Sequence, residues 1–257
     1  MEAALQWLYP LSALEDPLLC IQRSFLATLN YSVDEINSCV LQRLPGSTGN
    51  IYTPSQFLQI ANIYLSATEV YYSQDSIKEG GERPLNLHGD VLQDYLSTLN
   101  EPGVPSHKLE LKVGAICTIQ RNLSTEKGLV KNAQVIIQDL NCYSIRVAVL
   151  PRPHAVAQDM QEFPLVRITF EFNPDQSSWT VVRKQFPLRL AYATTFNSSQ
   201  GLTLNRAVID LRHSVFAHGQ LYTALTRFGH RDRGRVLFAP TNVLGQTSNI
   251  VSQELLL

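Results

Sequence analysis

Ala193-Thr194-Thr195-Phe196-Asn197-Ser198-Ser199-Gln200-Gly201-Leu202-Thr203 and His218-Gly219-Gln220-Leu221-Tyr222-Thr223-Ala224-Leu225-Thr226-Arg227 are the two ends of the stretch whose reading decides the fold. Between them lies the apolar run Ala207-Val208-Ile209-Asp210-Leu211, with the length and composition of a buried strand. The order is apolar strand, loop of small polar residues, strand, then a short helix closed by Arg227. In an α/β sheet such a loop sits at the carboxyl edge of its strand, where ligands bind. Thr195, Ser198, Ser199 and Thr203 can donate to phosphate oxygens, and Gly201 permits a close backbone approach. A plain polar turn is the other reading of that loop. In the following helix Leu221, Ala224, Leu225 and Phe228 form the expected buried stripe, which turns Arg227 away from the core. At a helix C-terminus Arg227 either complements the helix dipole or stabilises charge on a transferring phosphoryl group.

Outward from this stretch the chain has two textures. Pro10 and Pro17 break residues 2–29 into short helical segments, followed by a short strand over Ser24–Leu29. Ser32 and Glu35 read as a capping box opening a helix whose buried face is Val33, Ile36, Val40 and Leu44, stopped by Pro45-Gly46. Pro54–Leu65 reads as a helix, Glu69–Ser73 as a β-prone run, Lys78–Pro84 as a surface loop and Val91–Leu99 as a helix. From Leu109 the pattern becomes short strands: Leu109–Ile119, Ala133–Leu140, Ser144–Leu150, Val166–Phe172 and Thr180–Val182. Phe186–Phe196 then returns to an apolar strand. The expected organisation is a discontinuous domain, 1–107 with 186–257, carrying an inserted β-module at 108–185.

Charge follows the same division. Residues 1–100 hold 4 Lys or Arg against 11 Asp or Glu, and residues 101–257 hold 17 against 11. Within 199–238 there are six Arg, no Lys and two Asp. Arg without Lys suits phosphate or carboxylate gripping, and a solvated basic face is the plainer alternative. Arg121 and Lys131 lead the basic residues of the β-module, which on a small barrel can line a nucleic-acid groove.

Several chemistries lack their residues. No G-x-x-x-x-G-K-[ST] occurs, and there is no Gly-Lys dipeptide, so the cradle for β- and γ-phosphates is missing from this sequence. The six His have no metal spacing, and no H-E-x-x-H or nucleophile elbow is present, so no metal ligands are assigned. Cys20, Cys39, Cys117 and Cys142 read as reduced, packed thiols of an intracellular protein. No apolar run approaches a membrane span, and residues 1–20 contain Glu2, Glu15 and Asp16 but no Arg, unlike an organellar leader.

Taken together these residues resemble the C-terminal half of a PIF-type (petite integration frequency) DNA helicase, with the Helitron-like and fungal branch nearest. Phe25–Asn30 followed by Val33–Asn37 resembles helicase motif IV. Tyr71–Ser76, Gly103–Leu109, Leu111–Ala115, Arg121–Leu123 and Gly128–Asn132 are similar to further family segments, in family order. Ala193–Thr203 resembles motif V, and Gly219–Arg227 resembles motif VI. Ser198 stands where the family often has Lys, Leu202 where Gln is usual, and Thr28 where Pro is common. Residues 49–68 read as an insertion.

The resemblance implies an α/β fold: a second RecA-like domain with an inserted Src-homology-like β-barrel. It implies ATP-driven 5′-to-3′ unwinding with Mg²⁺, single-stranded DNA as partner, and the nucleus as setting. Arg227 would be the catalytic arginine finger. Gln200, Gly201, Gln220 and Tyr222 would couple to the nucleotide. Asn30, Thr195, Asn197, Ser199, Thr203, Arg121 and Lys131 would face DNA. The first RecA-like domain, with both Walker motifs, would be a further partner, expected in cis. On this reading the 257 residues alone are inert as an ATPase and bind no ATP or Mg²⁺ stably. A stand-alone, non-catalytic DNA-binding module and a transposable-element relic are the alternatives.

Overall fold

A computed structural model describes residues 1–45, 68–78, 89–150, 161–174, 177–242 and 244–251. The helix expected over Pro54–Leu65 and most of the 78–84 loop lie outside these residues. The chain runs α1 (Glu2–Leu8), α2 (Leu11–Leu14), α3 (Pro17–Cys20), β1 (Arg23–Ala27) and α4 (Asn30–Arg43). Then come β2 (Glu69–Tyr72), β3 (Gln74–Ile77), α5 (Gly89–Thr98), β4 (Lys108–Leu111), β5 (Ile116–Ile119), β6 (Gln134–Leu140) and β7 (Ser144–Val149). β8 (Glu162–Val166), β9 (Ile168–Phe172), β10 (Val181–Gln185) and β11 (Leu188–Leu190) complete this region. The last elements are β12 (Ala193–Thr195), β13 (Arg206–Leu211), α6 (Gln220–Leu225) and β14 (Gly234–Phe238).

Two compact units result, Met1–Pro45 with Leu190–Leu257 and Gly46–Arg189. The first is built on a four-stranded parallel sheet in the order β12-β1-β13-β14. β1 and β13 are buried almost throughout, because both sheet faces are covered. Leu26, Ala207, Ile209 and Leu211 face one layer with Phe196, Val215 and Ala224. Fully burying a residue such as Ile209 contributes roughly 1.5–3 kcal/mol. The opposite face meets Tyr9, whose ring contacts Phe25 and Tyr192 and whose hydroxyl donates to the carbonyls of Arg23 and Tyr192 at 2.8 Å. Asn37, buried in α4, accepts from the amides of Tyr192 and Ala193 at 3.0 Å each and so ties α4 to the start of β12.

Several expectations about local structure need correction. α4 begins at Asn30 with Leu29 at its N-cap and no side-chain cap. Ser32 lies inside the helix, and Glu35 is drawn into an ion pair with Arg212, so no capping box forms. The Val33, Ile36, Val40 face is buried as its spacing predicts. The long strands expected at Leu109–Ile119 and Phe186–Phe196 are each broken in two, the former at Gly114, whose φ of +83° suits glycine.

The second unit begins earlier than residue 108 and ends later than 185. β2 pairs antiparallel with β4, and β3 pairs with β10, so residues 68–107 belong with the strands that follow them. Its strands form β2-β4, β3-β10-β9 and β11-β5-β6-β7-β8. Arg183, wholly buried, donates to both Asp75 oxygens at 2.9–3.2 Å and to the carbonyls of Leu96, Leu99 and Pro105. That pattern uses the five guanidinium donors and ties β3, α5 and β10 together.

Candidate functional site

The carboxyl ends of β1, β12 and β13 lie side by side, because Ala27 pairs with both Thr195 and Asp210 in parallel register. At that edge the chain leaves β12 through a single 3-10 turn, Asn197–Ser199, and reaches Leu204 beside α6. Arg227 closes the loop. Its carbonyl accepts from the Leu204 amide at 2.9 Å. Its Nε donates to the Thr223 carbonyl at 2.8 Å, and Nη1 lies 3.5 Å and 3.4 Å from the Ser199 and Leu202 carbonyls. The guanidinium, half-buried, rests against the loop backbone. It is therefore tied to the 197–203 loop by weak contacts, which any ligand-facing swing would exchange.

The expected site residues divide. Thr195 Oγ1 donates to Ser198 Oγ at 2.9 Å and accepts from the Ser198 amide, half-exposed at the loop mouth. Asn197, Gln200, Gly201 and Thr203 are exposed along the loop, and Asn30 is exposed at the start of α4. Ser199 departs from its expected role: it is fully buried and its hydroxyl donates inward to the Phe196 carbonyl at 2.7 Å, which shapes the turn. Gly201 has φ +84°, and a Cβ placed there would meet nothing within 4 Å, so backbone conformation, not close approach, requires glycine. Gln220 is buried, its Oε1 accepting from the Phe216 amide at 3.1 Å, whereas Tyr222 is 69% exposed. Leu225, expected in the buried stripe of α6, is 46% exposed because the helix lasts only six residues. Arg121 and Lys131 are exposed on the second unit, at the two ends of one loop that the Asn122 side chain closes by accepting from the Lys131 amide at 2.8 Å. Arg121 also donates to the Thr169 carbonyl at 2.7 Å.

The sheet edge holds groups that the sequence reading passed over. Asp210 is 1% exposed and receives Arg212 through both oxygens, at 2.8–3.1 Å, while Arg212 reaches Glu35 at 2.8 Å. The Asp210 hydrogen bonds, and then Glu35, hold the Arg212 guanidinium above its ordinary pKa against the opposing effect of burial. An acid inside the apolar run 207–211, followed two residues later by Arg, was the available signal. Nearby in sequence, the hydroxyls of Thr28 and Ser32 are buried with no hydrogen-bond partner among the described residues.

The six Arg of 199–238 do not form one grip. Arg212 and Arg227 follow elements at the carboxyl edge, while Arg206 and Arg235 begin strands at the opposite edge, with Arg231 and Arg233 just ahead of β14. Of the thiols, Cys20 and Cys117 are buried, and burial pushes Cys20 up to about 12. Cys142 is exposed, unlike the packed thiol expected. Among the described residues, no three His, Cys, Asp or Glu side chains are grouped to hold a metal ion, and no helix is long and apolar enough to cross a membrane. Ser73, His107 and Asp75 do meet, with Ser73 Oγ 2.6 Å from Asp75 and 2.8 Å from His107 Nδ1. Both Ser73 and Asp75 face the same imidazole nitrogen, and Arg183 holds the aspartate, so the cluster is not arranged as a nucleophilic triad.

Comparison with known proteins matches this architecture. The family described as DNA helicase Pif1, 2B domain, matches residues 94–140, within the second unit. The chain is related to the Pif1-type DNA helicases. It is 32% identical over 170 residues to the human ATP-dependent DNA helicase PIF1, covering 63% of this chain and 25% of that protein. The mouse PIF1 is 32% identical over 187 residues, covering 69% and 28% respectively. The chain thus spans about a quarter of the length of these relatives. Among solved structures, the Candida albicans Pif1 helicase superposes with a TM-score of 0.57 at 24% identity, over 85% of this chain and 45% of that one. A Bacteroides Pif1 helicase in complex with ADP-AlF3 and single-stranded DNA gives 0.56 at 20% identity, over 96% and 47%. The fold is that of the Pif1 helicases, an α/β RecA-like sheet with a 2B domain.

Proposed function

We propose that this chain is the C-terminal portion of a Pif1-type, ATP-dependent, 5′-to-3′ DNA helicase, placed in the nucleus and working with a first RecA-like domain in cis. The observation that carries this reading is the attachment of Arg227 to the 197–203 loop at the carboxyl edge of the parallel sheet. A motor needs the residue that senses phosphate charge to be mechanically joined to the segment that meets the DNA strand. Here the guanidinium of the proposed phosphate sensor, Arg227, touches the loop proposed to meet DNA. The partner domain would supply the Gly-Lys phosphate cradle and the residues that hold Mg²⁺. ATP supplies the phosphoryl group whose transfer Arg227 stabilises, with Gln220 packing beneath the loop that precedes α6. Asn30, Thr195, Asn197 and Thr203 are the candidates for single-stranded DNA at this edge, and Arg121 and Lys131 are those on the second unit. The bound single-stranded DNA of the Bacteroides relative supports that partner.

The test begins with the 5′ end of the transcript and then the protein it encodes. With an upstream G-x-x-x-x-G-K-[ST] segment present, Arg227→Ala is expected to lower DNA-stimulated ATP hydrolysis by about 10³-fold or more while single-stranded DNA binding persists. Hydrolysis unaffected by Arg227→Ala sinks the assignment.

A further inference from the structure

We propose that the amino edge of the parallel sheet, opposite the Arg227 loop, is a second nucleic-acid contact that grips phosphodiester oxygens. The parallel register sets Arg23 beside Arg206, and Arg235 beside Val208 two positions further along. Strand alternation then points Arg23, Arg206 and Arg235 to one face of the sheet. Trp7 of α1 marks that face. The guanidinium of Arg235 lies 4.6 Å from its ring centroid and that of Arg206 lies 5.6 Å away.

Two like charges thus share one aromatic ring, and neither has a carboxylate partner among the described residues. The ring offsets part of their repulsion, and an anion between them would remove the rest. Arg206 and Arg233 also line a recess of about 430 Å³ whose apolar wall is Leu18 and Leu19, 46% and 49% exposed. Its one carboxylate, Asp232, is already met by His230 at 3.2 Å and Arg231 at 3.8 Å.

The chemistry favours a polynucleotide. The cations span two interstrand spacings, roughly 10 Å, which suits a polyanion of repeating charge better than a lone phosphate. They are all arginines, whose planar forks match phosphate oxygens and whose faces stack on bases. An acidic peptide offers the charge without the bases, and the apolar wall of the recess gives a base or sugar somewhere to rest.

The patch is separate from the residues assigned to DNA above, so the two can be tested against each other. The probe is fluorescein-labelled dT20, titrated by anisotropy into the 257-residue chain between about 50 and 200 mM salt. Arg206→Gln/Arg235→Gln is compared with Arg121→Gln/Lys131→Gln, each after a thermal melt. Losing two phosphate contacts is expected to reduce the slope of log Kobs against log salt by about 1.4, with affinity falling about ten-fold at low salt. An unchanged slope and affinity in Arg206→Gln/Arg235→Gln overturns the proposal, whatever the other pair does. Loss in that other pair alone leaves the DNA reading of the second unit standing and the edge patch refuted. Loss in the edge pair alone supports the patch and removes Arg121 and Lys131. If wild type ignores dT20, or prefers poly-glutamate of equal charge, the proposal fails. Should Arg206→Gln/Arg235→Gln not melt cooperatively, the exposed pair Arg231→Gln/Arg233→Gln is measured under the same criterion.

Discussion

Asp75 and Asp210 each sit at 1% side-chain exposure and each is gripped by an arginine through both oxygens, yet their arginines live in different surroundings. Arg183 has no exposed surface and spends its remaining donors on three backbone carbonyls of the second unit. Arg212 is 20% exposed, and its second partner, Glu35, is 37% exposed at the sheet edge of the first unit. The contrast teaches that the same ion pair holds architecture in one unit and trims the candidate functional edge in the other. Without Arg183, β3, α5 and the Leu99–Pro105 connection lose their common anchor. Without Arg212, water can reach Asp210 and partly replace what was lost.

The sharpest way to break this contrast is Arg183→Met. It leaves the Asp75 carboxylate buried with Ser73 and His107 alone, and unfolding free energy is expected to fall by about 3–5 kcal/mol. Urea unfolding followed by Trp179 fluorescence reads it, and a loss below about 1 kcal/mol would mean that Arg183 is a passenger. Arg212→Met should cost less, about 1–3 kcal/mol, since its site is partly wet. Equal losses in the two variants would erase the distinction drawn between the units. The smallest effect is expected from Thr28→Val and Ser32→Ala, which remove buried hydroxyls that have no partner among the described residues. Each should be neutral or stabilising by up to about 1 kcal/mol, because no hydrogen bond is given up. A clear destabilisation by either substitution would show that its hydroxyl is satisfied in solution.

Periodicity made much of the first unit legible. The apolar runs at 24–29 and 207–211 read as buried strands, and the Val33, Ile36, Val40 spacing read as a helix packed along one side. The order of strand, polar loop, strand and Arg-terminated helix likewise placed Arg227 at the end of its helix, turned away from the core, without setting it against the loop. What local pattern could not carry was long-range competition. Glu35 looked like a capping partner for Ser32 until Arg212, far away in the chain, claimed it. Ser199 looked like an outward donor until the 3-10 turn aimed it at Phe196. The boundary expected at 107/108 moved because β3 pairs with β10, more than a hundred residues later, and the Pro45-Gly46 stop marks the end of a helix without announcing that pairing.

By itself, then, the sequence determined the element types of the sheet unit, the family likeness and the position of Arg227 after its helix. These follow from hydrophobic period, turn chemistry and ordered motifs, which act over a few residues. Only the tertiary structure decided that Arg183 is the hub of the second unit. It also split the arginines of 199–238 between two opposite sheet edges and bent Arg227 onto the loop carbonyls. Those outcomes depend on strand order and register, which bring distant residues within hydrogen-bond reach and which no local window of sequence encodes.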